Sequence, residues 1–313
     1  MSKAAGSRIV GWGSNLPEKI LTNDDLAQGG LDTSDEWIFE RTGIRQRHVG
    51  GSTGEMAIHA GQQALERAGV TGDDIDLVIV ATSTPDQLMP GTSATVHAEL
   101  GIRGGACDMQ AVCSGFSYAL IAANGLIATG LDRILVIGAD SLSPYVDWDD
   151  RGSAILFGDG AGAAVLERHD EETLLSFDLG ADGAHRHIGY TDHDGKITMD
   201  GKEVFRTAVR AVTKSAQAAI DAADLTVDDI DWFIPHQANV RIIEAIANRI
   251  GLPMEKAVVT IQDTANNSAA TIPIALDTAV RDERVQPGDN LLLGGFGFGM
   301  TWASAVMKWD PRD

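Results

Sequence analysis

A four-residue acidic motif occurs twice in this chain of 313 residues, each time in the same local context. Asp73–Asp76 (DDID) follows a run with helical spacing, Met56–Val70, and leads into the apolar letters LVIVATS. Asp228–Asp231 repeats the motif after a second helical run that starts near Ala211, and leads into WFIPHQA. An offset of 155 residues that holds through helix, turn and strand is typical of internal duplication. The chain is therefore predicted to fold as two related halves.

The segments that follow these units also correspond between the halves. Strands are predicted at Arg133–Asp140 and Asn290–Gly297, and again at Ala161–Glu167 and Trp302–Lys308. Because strands alternate with helices, the pattern favours an α/β fold with a mostly parallel sheet in each half. We expect the halves to comprise residues 1–170 and 171–313. A pseudo-twofold axis between them would bring equivalent loops to one central site.

Composition limits the kinds of partner. The formal net charge is −21, so nucleic-acid phosphates would meet a repelling field, and no nucleic-acid partner is expected. Apolar stretches such as 119–130 are interrupted by Asn124 and Gly125, and the first ten residues lack an apolar signal-peptide core, so we expect neither membrane insertion nor secretion. Only two cysteines occur, Cys107 and Cys113, which favours a reducing cytoplasm.

Cys113 is the candidate nucleophile. A short β-like run ends at Val112, and small and apolar residues with helical spacing follow the cysteine. This places the thiol at a helix N-terminus, where free N–H groups and the helix dipole lower a thiol pKa. Cys107 lies within the β-like run and is interpreted as an inert small apolar residue.

Two polar residues of the second half are predicted to share a cavity with this thiol. His236 follows the strand Trp232–Pro235, at the carboxyl edge of a sheet where ligands bind in α/β folds. Asn266 lies in a turn whose repeat partner is the segment around Cys113. The pseudo-twofold axis would therefore bring Cys113, His236 and Asn266 together. The neighbouring Asn267 is interpreted as an N-cap for a helix that begins near Ser268.

Other patterns receive a structural interpretation. The glycine-rich segments 158–162 and 294–299 do not join a strand to a helix as a nucleotide-phosphate loop does, so they are assigned to turns. A histidine-rich stretch matches no standard metal-ligand spacing and is assigned to a polar surface loop, so no metal site is expected; it contains His185, His187, Asp192 and His193.

The sequence resembles the thiolase-like condensing enzymes, most closely the β-ketoacyl-acyl carrier protein synthase III family. The likeness covers nearly the whole chain and is carried by these segments: Asp32–Trp37, Arg41–Arg45, Cys113–Phe116, Arg151-Gly152, Phe157–Ala163, Gly201–Phe205, Pro235–Asn239 and Asn266–Pro273. A Cys-His-Asn set is similar to the initiating class, whereas elongating synthases use Cys-His-His. A thiolase would show a second cysteine in the C-terminal glycine loop, and this chain has none there.

The resemblance implies a homodimer of subunits with a thiolase-like five-layered αβαβα fold. It implies transfer of a short acyl group, usually acetyl, from a coenzyme A thioester to Cys113, without a further cofactor. Malonyl-acyl carrier protein would then lose carbon dioxide, and its carbanion would attack the acyl-enzyme, initiating fatty acid biosynthesis. His236 and Asn266 would donate hydrogen bonds to the enolate oxygen, each worth about 3–4 kcal/mol. Backbone N–H groups of Cys113 and Phe298 would hold the acyl oxyanion.

The resemblance also implies a coenzyme A channel. Trp37 and Arg151 would sandwich the adenine, Thr33 and Arg41 would lie beside it, and Asn239 would contact the pantetheine arm. Without the resemblance, Trp37 would be interpreted as a core aromatic residue.

A basic patch stands out in this acidic chain. It comprises Arg206, Arg210 and Lys214, which recur every four residues, together with Arg241. The resemblance implies that acidic carrier protein docks there. Considered alone, the spacing also fits an ordinary solvated helix face.

Some positions depart from the family pattern. Ala265 and Asn267 stand where the family has glycine and threonine, and Phe298 stands where glycine is usual. Met89 aligns near a family phenylalanine that lines the partner subunit's acyl pocket. Because Met89 and Phe298 would shape that pocket, the length and branching of the primer are left open.

Three alternatives remain open from the sequence. A related acyltransferase of secondary metabolism would use the same acyl-Cys113 with another acceptor. A cysteine thioesterase would need water at the acyl-enzyme, which a dry tunnel suppresses. A non-catalytic coenzyme A-binding protein is disfavoured because all three polar catalytic positions are present.

Overall fold

The computed structural model describes residues 6–192 and 195–312. The helices in these residues are α1 (Asn23–Gln28), α2 (Asp35–Thr42), α3 (Thr53–Ala68), α4 (Thr92–Glu99), α5 (Gly115–Thr129), α6 (Arg151–Ala154), α7 (Gly201–Ala222), α8 (Val240–Ile250), α9 (Ile261–Thr264) and α10 (Thr271–Arg281). The strands are β1 (Gly6–Asn15), β2 (Ile20–Thr22), β3 (Gln46–His48), β4 (Leu77–Ala81), β5 (Gly105–Met109), β6 (Arg133–Ser141), β7 (Asp159–His169), β8 (Leu174–Ala181), β9 (Gly189–Tyr190), β10 (Thr198–Met199), β11 (Trp232–Pro235), β12 (Asn290–Gly297) and β13 (Thr301–Lys308).

The duplicated acidic motif forms the same capped turn in both halves. Thr71 begins a 3-10 turn, and Asp74 accepts hydrogen bonds from its backbone N–H at 2.9 Å and its hydroxyl at 3.0 Å. Thr226 and Asp229 repeat this reciprocal cap at 2.8 and 2.6 Å. The turns deliver the chain into β4 and β11, so the duplication seen in the sequence is a duplication of structure.

Two central sheets carry the fold. The first has the strand order β1-β7-β6-β4-β5 and the second the order β11-β12-β13-β8. Strand β4 runs parallel to β5 and β6, and β11 parallel to β12, but β7 and β13 run antiparallel to their neighbours. Because β7 and β13 are the reversed strands, four of the five strands of the first sheet and three of the four strands of the second run in one direction, so the sheets are mostly parallel as predicted. The reversal of β13 has a local cause: only residues 298–300 join β12 to β13, which is too short for a parallel crossover.

Helices and sheets alternate in five layers, as the predicted fold class requires. Helices α3 and α4 cover the outer face of the first sheet, and α7 and α8 cover the outer face of the second. Helices α5 and α10 lie between the sheets, where α5 packs on strands of both. The stretch Val112–Thr129 is long and apolar enough to cross a membrane, but 61% of it is buried inside the protein, as expected of a core helix.

Two equivalent turns meet at the centre of the molecule. Residues 112–114 form a 3-10 turn ahead of α5, and residues 268–270 form one ahead of α10. Each turn packs on a glycine of the other half: a Cβ on Gly295 would lie 3.6 Å from the carbonyl oxygen of Cys113, and one on Gly138 only 2.3 Å from that of Ala269. These glycines let the two turns approach each other across the pseudo-twofold axis.

Candidate active site

One cavity of about 130 Å³ is lined by residues from both halves. Cys113 reaches it from the first half, and His236 and Asn266 reach it from the second. Asn239 and Phe298 line the same cavity, and further apolar walls come from Leu156, Phe157, Val204, Phe205, Ile242 and Phe296. The structure thus brings the three proposed catalytic side chains around a single space.

Cys113 lies in the turn ahead of α5, so its thiol is at the N-terminal end of that helix. The turn is held by the Ser114 hydroxyl, which donates to the carbonyl of Ala111 at 2.7 Å, and by the Thr301 hydroxyl, which donates to the same carbonyl at 2.9 Å. A Cβ on Gly297 would lie 2.8 Å from the nitrogen of Cys113, so the end of β12 approaches the cysteine backbone directly. Phe298 follows that glycine immediately.

The predicted lowering of the Cys113 pKa is wrong. Burial in apolar surroundings raises the pKa of the thiol to about 12, and this outweighs the nearby Ser268 side chain, which lowers it. A helix N-terminus contributes at most about 2 kcal/mol, or about 1.5 in pKa. The rise from 9.0 is larger than that, so the thiol is protonated at neutral pH.

His236 is held neutral at the end of β11. Its backbone N–H donates to the carbonyl of Gly294 at 2.8 Å, and its ring packs edge-on against Phe296 with centroids 5.2 Å apart. Only 2% of the residue is exposed, and this burial lowers the pKa of the imidazole to about 3. A neutral imidazole with such a pKa is a poor base for a thiol of pKa near 12, but it remains able to donate a hydrogen bond.

Asn266 lines the cavity, and its carboxamide is bonded through its oxygen. Its Oδ1 accepts the backbone N–H of Ser268 at 2.9 Å, which fixes the carboxamide, and Nδ2 has no hydrogen-bond partner among residues 6–192 and 195–312. Asn267 occupies the predicted N-cap position of the turn at 268–270, but its side chain makes no capping hydrogen bond and instead donates to the carbonyls of Asp159 and Thr264, each at 3.0 Å. Asn266 itself satisfies the first N–H of the turn.

A buried carboxyl group behind the site was not predicted from the sequence. Asp140, at the end of β6, is fully buried and accepts the backbone N–H of Ala269 at 3.0 Å and that of Ser83 at 2.8 Å. The hydroxyls of Thr82 and Thr84 also donate to it. Burial raises the pKa of this carboxyl group, although these hydrogen bonds lower it. Asp140 thereby connects the first half to the turn that follows Asn266. In the sequence, the one sign of this residue's role is that an acidic residue ends the apolar run RILVIGAD.

The residues proposed to bind coenzyme A form a cluster beside the cavity. The guanidinium groups of Arg41 and Arg151 lie 4.3 and 4.5 Å from the ring centroid of Trp37. Asn239 caps α8 and donates from Nδ2 to the carbonyl of Arg41 at 3.0 Å, which joins this cluster to the cavity wall. Thr33 Oγ1 is buried and has no partner in the part of the chain that the structure describes.

The basic patch is exposed near the cavity. Arg206, Arg210 and Lys214 lie on the exposed face of α7, whose first turns line the cavity through Gly201, Val204 and Phe205. Arg241 is exposed at the start of α8 and donates to the carbonyl of Glu40 at 2.7 Å. Arg206 pairs with Glu203 at 2.6 Å.

The two residues proposed for the acyl pocket lie apart. Phe298 lines the cavity, and its ring packs so closely on Gly189 that a Cβ there would come within 2.3 Å of it. Met89 is 77% exposed and does not line the cavity of its own chain. It belongs to an exposed segment that precedes α4, beside the exposed edge strand β5.

The histidine-rich loop shows no metal-binding geometry in residues 6–192 and 195–312, where no group of three His, Cys, Asp or Glu side chains could hold an ion. His185 bonds Asp182 at 2.8 Å and stacks against His187 at 6.5 Å. His193 lies outside the described residues.

Family profiles match both halves of the chain. The profile described as "3-Oxoacyl-[acyl-carrier-protein (ACP)] synthase III" matches residues 107–183, and the one described as its "C terminal" matches residues 220–309. The chain is 48% identical to a curated β-ketoacyl-[acyl-carrier-protein] synthase III from Jannaschia sp. (strain CCS1), over 96% of this chain and 98% of that protein.

Solved structures agree with this result. The crystal structure of 3-oxoacyl-[acyl-carrier-protein] synthase III from Aquifex aeolicus VF5 has a TM-score of 0.94 and 41% identity, covering 97% of this chain and 100% of that one. The priming β-ketosynthase from the R1128 polyketide biosynthetic pathway also has a TM-score of 0.94, at 35% identity, covering 100% of this chain and 99% of that one. The chain belongs to the β-ketoacyl-acyl carrier protein synthase III family, condensing enzymes with the thiolase-like fold.

Proposed function

We propose that this enzyme transfers a short acyl group, acetyl by default, from coenzyme A to Cys113 and condenses it with malonyl-acyl carrier protein. The observation that carries the proposal is the meeting of Cys113, His236 and Asn266 around one largely apolar cavity. The reaction would initiate fatty acid biosynthesis in the cytoplasm. The coenzyme A thioester would be the substrate, and no further cofactor would take part.

The first step is acylation of Cys113. The sulfur attacks the thioester carbonyl, the bond from that carbon to the coenzyme A sulfur breaks, and the thiol proton ends on the departing coenzyme A thiol. Because the pKa of Cys113 is near 12, proton loss must accompany attack rather than precede it. Backbone N–H groups of Cys113 and Phe298 are proposed to hold the oxyanion, consistent with the close approach of Gly297 to the cysteine nitrogen.

The second step is decarboxylation and condensation. The malonyl carboxylate leaves as carbon dioxide, and the electrons of the broken C–C bond form an enolate. His236 and Asn266 line the cavity and are proposed to donate to its oxygen through Nε2 and Nδ2, which have no hydrogen-bond partner among the described residues. The carbanion then attacks the acyl carbon, and the released Cys113 sulfur takes up one proton. The high pKa of this thiol favours that uptake.

Coenzyme A is proposed to enter along the cluster around Trp37. The adenine would stack on the indole, with Thr33, Arg41 and Asn239 along the rest of the molecule. Arg151 already stacks on Trp37 and donates to the carbonyl of Asp32 at 2.8 Å, so it must move away before an adenine can lie between them.

Carrier protein is proposed to dock on the basic patch, which lies beside the cavity-lining turns of α7. Reversing charge with Arg206→Glu and Arg241→Glu should raise the KM for malonyl-acyl carrier protein by at least about tenfold and leave acetyl-CoA acylation of Cys113 unchanged. Arg249→Glu is the matched control, because it makes the same change on α8 about 12 Å further along the helix. Equal loss of both half-reactions would refute the docking role.

A homodimer is proposed through the edge of the first sheet. Strand β5 is largely exposed, and within residues 6–192 and 195–312 it pairs with β4 alone; the adjacent Leu88 and Met89 are each 77% exposed. An open, exposed edge strand pairs readily with another chain. In such a dimer Met89 could reach the partner's acyl pocket, while Phe298 would narrow the pocket from within its own chain.

The deciding experiment is turnover of purified protein with acetyl-CoA and malonyl-acyl carrier protein, measuring carbon dioxide and 3-ketoacyl-acyl carrier protein. Equal amounts of both products, abolished by Cys113→Ala, would support the proposal. Hydrolysis of the acyl group without either product would indicate a thioesterase. Because the chain also resembles a priming ketosynthase of a polyketide pathway, a polyketide carrier protein is the second acceptor to assay.

A further inference from the structure

Thr271 contacts the proposed catalytic histidine from behind. Its Oγ1 lies 2.7 Å from Nδ1 of His236, and both residues are buried, with 1% and 2% of their surfaces exposed. No other described residue hydrogen bonds to either ring nitrogen of His236. The contact with Thr271 therefore determines whether Nδ1 donates or accepts a hydrogen bond. The ring itself is held in place by Phe296.

The hydroxyl of Thr271 has two possible acceptors and one proton. The carbonyl oxygen of Ser268 lies 3.1 Å from Oγ1, whereas Nδ1 of His236 lies closer, at 2.7 Å. That carbonyl already accepts the backbone N–H of Thr271, so it does not depend on the hydroxyl. Nδ1 has no alternative partner among the described residues. We therefore expect the hydroxyl to donate its proton to Nδ1 rather than to the carbonyl of Ser268.

We propose that Thr271 is a positioning residue that donates its hydroxyl proton to Nδ1 of His236 and so keeps the proton of the neutral ring on Nε2. The nitrogen that faces the cavity is then a hydrogen-bond donor, as enolate stabilisation requires. With the opposite tautomer, Nε2 would present a lone pair to the developing negative charge and repel it. This inference rests on the role proposed above for His236.

The equivalent contact in the first half of the chain has no hydroxyl, which supports a role for Thr271 in the chemistry of His236. The residue of the first half that corresponds to Thr271 is Gly115, the first residue of α5, and the one that corresponds to His236 is Ala81, at the end of β4. A Cβ on Gly115 would lie 3.2 Å from that of Ala81, so the equivalent contact is tight and apolar. The fold therefore does not need a hydroxyl at this place; only the half that carries the histidine has one.

The test compares Thr271→Val, which keeps the shape and removes the hydroxyl, with Thr271→Ser, which keeps the hydroxyl. Protein labelled with ¹⁵N at histidine reports the tautomer directly, and the signals of His236 are identified by their loss in His236→Asn. We expect wild type and Thr271→Ser to show a protonated Nε2 and a hydrogen-bonded, unprotonated Nδ1. In Thr271→Val part of the rings should carry the proton on Nδ1 instead, so the Nδ1 signal should move upfield and the Nε2 signal downfield.

Turnover provides the second measurement. Thr271→Val should lower malonyl decarboxylation by about 10- to 100-fold, less than the ~10²–10³-fold expected for loss of the donor itself, and Thr271→Ser should restore most of it. Acylation of Cys113 should change less than decarboxylation. A wild-type spectrum with the proton on Nδ1 would overturn the inference, as would unchanged Nδ1 signals in Thr271→Val. The spectra do not require turnover, so they separate failure of this inference from failure of the proposed reaction.

Discussion

Burial of the neutral His236 imidazole makes the stability of the folded chain depend on pH. The imidazole has a pKa of about 3 in the folded chain against 6.5 ordinarily. Between these values the unfolded chain binds a proton that the folded chain does not, so stability is fully present above pH 6.5 and is lost as the pH falls. From pH 7 to pH 5 the linkage amounts to about 2 kcal/mol for this one group.

The assay compares the free energy of unfolding between two proteins at two pH values. Urea unfolding of wild type and His236→Gln is followed at pH 7 and pH 5, at one protein concentration so that any association contributes equally. The substitution removes the titrating group, and its other effects on packing are the same at both pH values. We expect wild type to lose about 2 kcal/mol more than the variant between the two pH values. Equal losses would show that the imidazole is not held neutral by burial, and the donor role argued for His236 would lose its basis.

Three further outcomes follow from the site. Asn266→Ala should lower malonyl decarboxylation by about 10²–10³-fold while Cys113 is still acylated, and equal loss of both steps would contradict its assignment as an enolate donor. Asp140→Asn places an amide NH₂ against the donors that surround it, so it should lower the free energy of unfolding by about 1–3 kcal/mol in urea titrations; unchanged stability would contradict the tie between the halves. The rate of Cys113 alkylation by iodoacetamide, followed by peptide mass spectrometry, should rise about tenfold per pH unit from pH 7 to 10; a plateau near pH 7 would contradict the raised thiol pKa.

The sequence was sufficient to locate the three catalytic candidates because the duplication is a long-range constraint. The capped turns at Asp74 and Asp229 keep the same form in both halves, so equivalent strands and loops could be matched by number. The turn at Cys113 and the turn at Asn266 then had to meet, and they do so on glycines of β6 and β12.

Features that depend on three-dimensional surroundings were not predictable in the same way. The helix N-terminus beside Cys113 was visible in the sequence, but the apolar wall that raises its pKa is assembled from distant segments. Which of two adjacent asparagines caps a turn depends on carbonyls that Asn267 meets only after folding. The contact of Thr271 with His236 joins residues 35 positions apart and has no sequence signature.

The most direct test of the central claim is to mix the protein with a panel of acyl-CoA thioesters, without malonyl-acyl carrier protein, and to locate the adduct by peptide mass spectrometry. We expect one acyl group per chain on the peptide that contains Cys113, with acetyl accepted and bulkier groups limited by Phe298. An acyl group on another residue, or a Cys113→Ser chain that still condenses acetyl-CoA with malonyl-acyl carrier protein, would contradict it.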